Sequence, residues 1–370
     1  MAFFSSVEFV KAESLNDNIN QQIEKIDFTE LEGFFNSFLN QVSGSDFNVT
    51  LKKLLNGEYE TDLFSISSYV IKVIFNKVFD FIPTFLSVIS ISLLCSFIQQ
   101  VRNSFLTEGV AEISFFVCIM GIILVLSAQI IGIFENTQIA IENIAKLTEI
   151  MSPIIITLML AVGGNVSASV YSPTVAFLSG GVIYVVSSIV IPLIGVMTIF
   201  NLASNFSNSI KLNKFAEFFI SIIKWIVGII VTVYSIFLSV QGITSATFDG
   251  VSIKAAKYAL SNSIPIVGGF IKDGFDLVIA GSVLIKNSVG LLVVFLLFFI
   301  IILPVINMAV FSLLLKLTSA LIEPISDVRI SNFCFSLSKT ISYLIACLLI
   351  VGLMLFITVL LMIFSANAFI

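Results

Sequence analysis

From Ile71 to the C-terminus, long apolar runs alternate with shorter amphipathic stretches. A hydrocarbon core about 30 Å thick takes about 20 apolar residues of helix to cross. Five runs meet or nearly meet that length: Phe81 to Gln99, Ile113 to Phe134, Pro173 to Phe200, Val289 to Leu315 and Ile341 to Phe364. A sixth, Phe218 to Val240, carries a single charge, Lys224. Two further apolar segments are too short. Pro153 to Val162 ends at Gly163-Gly164-Asn165, and Leu260 to Ile271 is interrupted by Pro265 and by Gly268-Gly269. Segments of this length predict re-entrant or half-helices. Between spans, Ala140, Ile144, Leu147 and Met151 recur on one helical face opposite Glu142, Lys146 and Glu149. That pattern predicts a helix lying along the membrane surface or covering the short segments. The pattern as a whole predicts an all-α, polytopic integral membrane protein: about six full transmembrane helices plus two short Gly-Gly-interrupted segments.

The first 70 residues read differently. Ile23, Ile26, Phe34, Phe35 and Phe38 sit at helical spacing among Glu, Asp, Asn and Gln. Residues 13–70 carry ten acidic residues against three lysines, whereas 71–370 carry fourteen basic against twelve acidic. The division predicts an acidic helical segment over 13–70 and a polytopic membrane domain over 71–370. Residues 1–12 resemble the end of a signal peptide, with Val10 and Ala12 at positions −3 and −1 of a cleavage site. On that reading the acidic segment is extracytoplasmic. Arg102, Lys211, Lys214, Lys224, Lys316, Arg329 and Lys339 then fall on or near the cytoplasmic side. Lys146, Lys254, Lys257, Lys272 and Lys286 fall outside, in weak agreement with the positive-inside rule.

Composition sharpens the picture. Hydrophobic residues make up 58% of the chain, charged residues only 11%, and mean hydropathy is +1.11. A soluble domain runs nearer half apolar and a quarter charged. The chain has no histidine, which excludes Ser-His-Asp and Cys-His catalysis and His-ligated metals. A formal net charge of −5 offers nothing to nucleic acid. Cys95, Cys118, Cys334 and Cys347 lie in or beside apolar runs with no C-x-x-C spacing. No nucleophile–base pair, phosphate loop or metal cluster occurs, so neither a cofactor nor enzymatic activity is expected.

A few residues stand out against the apolar background. Lys224, beside Trp225, is about 9 Å along a helix from Phe218 and within reach of the interface, so the pair reads as a membrane anchor. Asp249, Lys254 and Lys257 follow that span; the two lysines share a helix face, as a solvated surface or a contact for a partner subunit. Glu323, Asp327 and Arg329 precede the last span, where an ion pair is expected. Gly163 and Gly268 are 105 residues apart, as are Ile113 and Phe218. The spacing suggests an internal repeat. Interrupted apolar segments at matching positions of two halves mark binding sites in transporter-like folds. Gly163, Gly164, Asn165, Gly268 and Gly269 are therefore candidates for a conduit or gate, against the alternative of hairpins packed for stability alone.

Several stretches, in order, resemble the stage III sporulation protein AE family of endospore-forming bacteria. They are Met151-Ser-Pro-Ile with the Gly163-Gly164 step, Ser239-Val-Gln-Gly242 and Asp249-Gly-Val-Ser-Ile-Lys-Ala-Ala-Lys257. Ile264-Pro-Ile-Val-Gly268, Leu284-Ile-Lys-Asn-Ser-Val-Gly290 and Glu323-Pro-Ile-Ser-Asp327 follow. The resemblance implies a multi-pass protein of the mother-cell membrane facing the engulfed forespore. It implies partners that include a secretion-type ATPase and ring-forming membrane proteins, in a channel or secretion-like complex linking the two cells. The subunit's role there, as conduit, gate or scaffold, stays open. The alternative from a different class is a stand-alone secondary transporter for a small solute.

Overall fold

The structure is a computed structural model that describes residues 26–39, 47–55, 63–105, 108–204, 212–263 and 268–365. Among these residues the chain is helical throughout, with no strand. Two short helices, α1 (Thr29–Leu39) and α2 (Phe47–Leu55), precede the membrane body. The body begins with α3 (Leu63–Phe105), eight residues before the composition changes, followed by α4 (Glu108–Ala161). A third span runs through α5 (Asn165–Ala176), two π-helical segments and α6 (Ile191–Ser204). The last three helices are α7 (Asn213–Ser263), α8 (Gly268–Ile322) and α9 (Val328–Phe364). Six of these helical stretches are long and apolar enough to cross a membrane, and each contains one of the six runs read from the sequence.

The helices are longer than the apolar runs. α4 has 54 residues and α8 has 55, about 80 Å each at 1.5 Å per residue. The apolar segment from Pro153 is not a separate half-helix. It is the last two turns of α4, continuous with the amphipathic stretch and the span before it. Pro153 removes one backbone donor without stopping the helix, which a packed membrane helix tolerates. The stop comes ten residues later. Gly163 takes φ 89°, and its N–H donates to the Leu160 carbonyl at 2.9 Å, while the Gly164 N–H donates to Met159 at 2.9 Å. These are the two bonds of a Schellman cap, whose left-handed position favours glycine. The second short segment is divided between helices, with residues 260–263 closing α7 and Gly268 opening α8; Pro265 lies outside the described residues.

Short connections make neighbours antiparallel, and side-chain pairs set the register. α8 and α9 run against each other from Ser319–Ser331, hydroxyls 2.9 Å apart, through Ser312 donating to the Ser338 carbonyl at 3.1 Å, to Lys286 donating to the Ser365 carbonyl. Two glycines let them approach: a Cβ on Gly290 would collide with Ile363, and one on Gly352 with Ile301. α3 runs parallel to α8, with Tyr69 against Phe299 and Phe81 against Phe311. α4 lies antiparallel to α8, with the Thr137 hydroxyl 3.3 Å from the Met308 sulfur and Val162 packed on Ile279 and Val283. On the other side, the Tyr234 hydroxyl of α7 donates to the Met354 carbonyl of α9 at 2.5 Å. The 323–327 connection is pinned to α3: Ser326 donates to the Ser92 carbonyl at 3.1 Å and Ser96 to the Ile325 carbonyl. Asp327 caps α9 and pairs with Arg329 at 2.8 Å, the ion pair expected from sequence. Arg329 also lies over the Phe115 ring.

Large apolar side chains face outward along much of the bundle. Phe75, Phe79 and Phe97 point outward from α3, Phe116 and Leu124 from α4, and Phe218, Trp225 and Ile236 from α7. Exposure of that kind belongs against lipid or a partner. The acidic segment does not stand apart from the body. Phe28, Leu31, Phe35, Phe47 and Leu51 are buried in one core continuous with the body's. Phe28 and Phe35 both pack on the Phe47 ring, at 6.0 and 5.5 Å. Residues 1–12, the candidate signal remnant, lie outside the described residues.

Candidate functional site

The amphipathic stretch of α4 is the most unusual surface of the molecule. Its apolar face is buried: Ile141, Ile144, Leu147 and Met151 are fully enclosed. Its other face exposes Glu135, Asn136, Gln138, Glu142, Lys146 and Glu149. Thr137 meets Met308 in the middle of the most apolar part of α8, so this row lies level with that part and not beyond its end. At the same level α3 shows Phe75 and Phe79 to the outside. Gly352 against Ile301 and Tyr234 on Met354 place the outward residues Ile229 and Ile236 of α7 there too. The α4 flank is thus charged, the α7 flank apolar, and the α3 flank mixed, with Lys72, Asn76 and Asp80 exposed beside Phe75 and Phe79. The α4 flank is not a set of closed ion pairs: its one internal side-chain bond runs from Gln138 Nε2 to Glu142 at 3.2 Å, among the described residues.

The N-terminal helices dock on this flank. A groove of about 340 Å³ between Ile26, Asp27 and Glu30 on one side and Ile150, Pro153 and Thr157 on the other marks the contact with α4. Asp27 caps α1 through the Thr29 N–H at 3.0 Å. Hydrogen bonding from Thr29 lowers its carboxyl below the usual range. At the far end of α1, Phe38 lines an open cleft of about 290 Å³ where α3, α4 and α8 meet, together with Lys77, Asn136, Asn143, Ile300, Pro304 and Asn307 among others. Lys77 holds Asp80 at 3.2 Å, with both side chains partly exposed. Among the described residues, none of the three asparagine side chains has a hydrogen-bond partner.

The residues singled out in the sequence have different places. Gly163 and Gly164 form the Schellman turn, with Gly164 buried, and Asn165 is exposed at the start of α5. Gly268 and Gly269 open α8. Val162 packs beside Ile279, 11 residues beyond Gly268, which is about 17 Å along the helix. The turn at Gly163-Gly164 thus packs near this later part of α8; the surroundings of Gly268 and Gly269 lie outside the described residues. Lys224 and Trp225 both face outward, Trp225 71% exposed, beside Gly228 and Thr232 in a shallow groove on α7. That outward position suits an anchor. The side chains of Asp249, Lys254 and Lys257 lie outside the described residues.

The sequence reading missed Lys286, Pro304 and the three asparagines. The apolar run read from the sequence starts at Val289, whereas the long apolar helix already includes Lys286. Lys286 is fully buried, on the face of α8 that meets the end of α9, and donates to the Ser365 carbonyl. Ser282, Asn287 and Ser288 around it dilute the hydropathy that would have signalled the longer span. Pro304 breaks an otherwise unbroken run, and Asn307 follows one turn later; that spacing is the signal that could have found the cavity.

A family model for stage III sporulation protein AE matches residues 45–366. The chain belongs to that family. It is similar to the stage III sporulation protein AE of Bacillus subtilis (strain 168), at 29% identity over 282 residues, 76% of this chain and 70% of the relative. No solved structure matches. The family match covers α2 through α9, including the stretches by which the resemblance was read. As a stage III AE protein the chain is a multi-pass membrane protein of a sporulation family. The charged flank and the asparagine cavity lie within the matched residues, whereas α1, with Phe38, lies before them.

Proposed function

We propose that this chain is a non-catalytic membrane subunit of the sporulation stage III trans-envelope complex. It sits in the mother-cell membrane facing the engulfed forespore and contributes one wall of an aqueous path. The observation that carries the reading is the α4 row from Glu135 to Glu149, exposed level with the most apolar part of α8. Charges at the centre of a bilayer cost about 3 kcal/mol or more each against lipid and so face protein or water. A subunit with one such flank lines a wet space together with other subunits, the bilayer taking the remaining sides. The partners are those implied by the family: a secretion-type ATPase and ring-forming membrane proteins.

The stand-alone transporter retains one supporting observation, the small polar cavity beside Pro304. Two measurements separate the readings. The tagged chain, solubilised from sporulating cells, should co-purify with the other stage III membrane proteins; recovery alone, with full transport activity in vegetative cells, favours the transporter. In a variant lacking native cysteines, Gln138→Cys should react with a water-soluble maleimide in intact membranes while Leu124→Cys does not. Equal protection of both would remove the aqueous wall.

A further inference from the structure

We infer that the cavity at the junction of α3, α4 and α8 is a binding site for a small zwitterionic solute of amino-acid size. The inference rests on reading the α4 flank as water-facing. Three features point to it. Asn136, Asn143 and Asn307 each present an amide donor and acceptor with no partner among the described residues. On a water-facing flank these amides are hydrated until a polar ligand takes the place of the water. Pro304 has no N–H and leaves the carbonyl of Ile300, which lines the same cavity, without its helical donor. A carbonyl freed in this way at membrane depth is an acceptor for a cation. Lys77, on the opposite wall, supplies the complement. Its bond to Asp80 joins two partly exposed side chains, a kind of pair that contributes little stability and is readily exchanged.

The walls therefore offer an anion site at Lys77, a cation site at the Ile300 carbonyl, and amides between them. A ligand carrying a carboxylate and an ammonium on one small frame satisfies all three. A cavity of about 290 Å³ has room for one such molecule and excludes a folded chain. Phe38, on α1, lines the site, which is open to the outside.

The test uses the full chain in phosphatidylglycerol nanodiscs, where no lipid headgroup is zwitterionic. Each common amino acid is titrated at up to millimolar concentration while thermal unfolding is followed. Saturable stabilisation by at least one amino acid is expected, and it should vanish for that compound's N-acetyl amide, which lacks both charges. Asn307→Ala should weaken binding tenfold or more. Pro304→Ala restores the helical donor to Ile300 and should weaken binding as strongly without lowering the unfolding temperature of the unliganded protein, an effect a purely structural proline would not show. Stabilisation by no amino acid overturns the inference. So does equal affinity for the N-acetyl amide, undiminished binding in either variant, or a response confined to added phosphatidylethanolamine. If Gln138→Cys labels from water while no amino acid binds, the aqueous wall stands and the solute site alone fails.

Discussion

Lys286 is the residue whose environment departs furthest from what its chemistry prefers. Its ammonium is wholly enclosed and, among the described residues, is met by one backbone carbonyl, that of Ser365, with no carboxylate in contact. The carbonyl belongs to the end of α9, where the helix has unpaired acceptors and a partial negative charge. A cation there is favoured, so Lys286 works as a side-chain cap donated by the neighbouring helix. This assigns it a structural role and predicts an order among substitutions. Lys286→Met keeps the volume and removes the charge; buried charges replaced by apolar groups of similar size are often neutral. Lys286→Glu sets a carboxylate against a carbonyl and should abolish folded protein. Fluorescence-detected size-exclusion in detergent checks both. A monodisperse Lys286→Glu variant, or a Lys286→Met variant that does not fold, would refute the capping role. Lys224 is the contrasting case: also a lysine in an apolar run, it faces outward with its head free to move, and no comparable constraint follows.

At the scale of elements, the α8–α9 hairpin forms the centre of the molecule, and two glycines set its tightness. A methyl on Gly290 would collide with both Cγ1 and Cδ1 of Ile363, whereas a methyl on Gly352 would collide chiefly with the terminal Cδ1 of Ile301. A terminal methyl can rotate away; a Cγ cannot without a change of rotamer. Gly290→Ala should therefore cost about 1–3 kcal/mol, the usual range for overpacking, and Gly352→Ala distinctly less. Unfolding temperatures of the two variants in one detergent would check the order. Adding Ile363→Ala to Gly290→Ala should recover part of the loss, because it removes the two atoms that collide. At this scale the α4–α5 turn also finds its explanation. Gly163 is required by its positive φ, and the backbone donors of the pair are bonded to Leu160 and Met159. The pair has its N–H groups committed to closing the helix.

The whole molecule is an up-and-down bundle of six long helices with two faces of different character. Large apolar residues face outward on α3 and α7, while the α4 flank is charged and has α1 against it. The internal repeat suggested by spacing has a physical counterpart. α4 with the span after it, and α7 with α8, are both long-helix hairpins, and α4 and α7 start 105 residues apart, at Glu108 and Asn213. Because consecutive helices alternate in direction, the two hairpins point the same way. Docking of the acidic helices on α4 makes the side of the membrane they occupy the key to the orientation of the subunit. With native cysteines removed, Ser45→Cys should react with an impermeant maleimide added to protoplasts, as expected for an extracytoplasmic segment. Labelling only after lysis would invert the orientation.

What the sequence determined by itself was the inventory of spans. Apolar runs of about 20 residues, whose backbone must hydrogen-bond internally, can only be helices in a bilayer, so the six spans could be read without any contact information. The ordered motifs from Met151-Ser-Pro-Ile to Glu323-Pro-Ile-Ser-Asp327 likewise carried the family. The connection between Asp327 and Arg329 was legible because both partners lie within one turn. What only the tertiary structure decided was where each helix ends and which polar groups share a space. Pro153 looks like a stop in one dimension, yet α4 continues through it to Gly163, because packing against α8 outweighs one lost hydrogen bond. Lys286 counts as a loop residue by hydropathy, yet its face of α8 is buried, because three small or polar neighbours line a helix contact. Asn136, Asn143 and Asn307 lie on two helices, far apart in sequence, and no local pattern ties them together. Their meeting beside Pro304 depends on the register of α4 against α8, which is set by long-range contacts such as Thr137 with Met308.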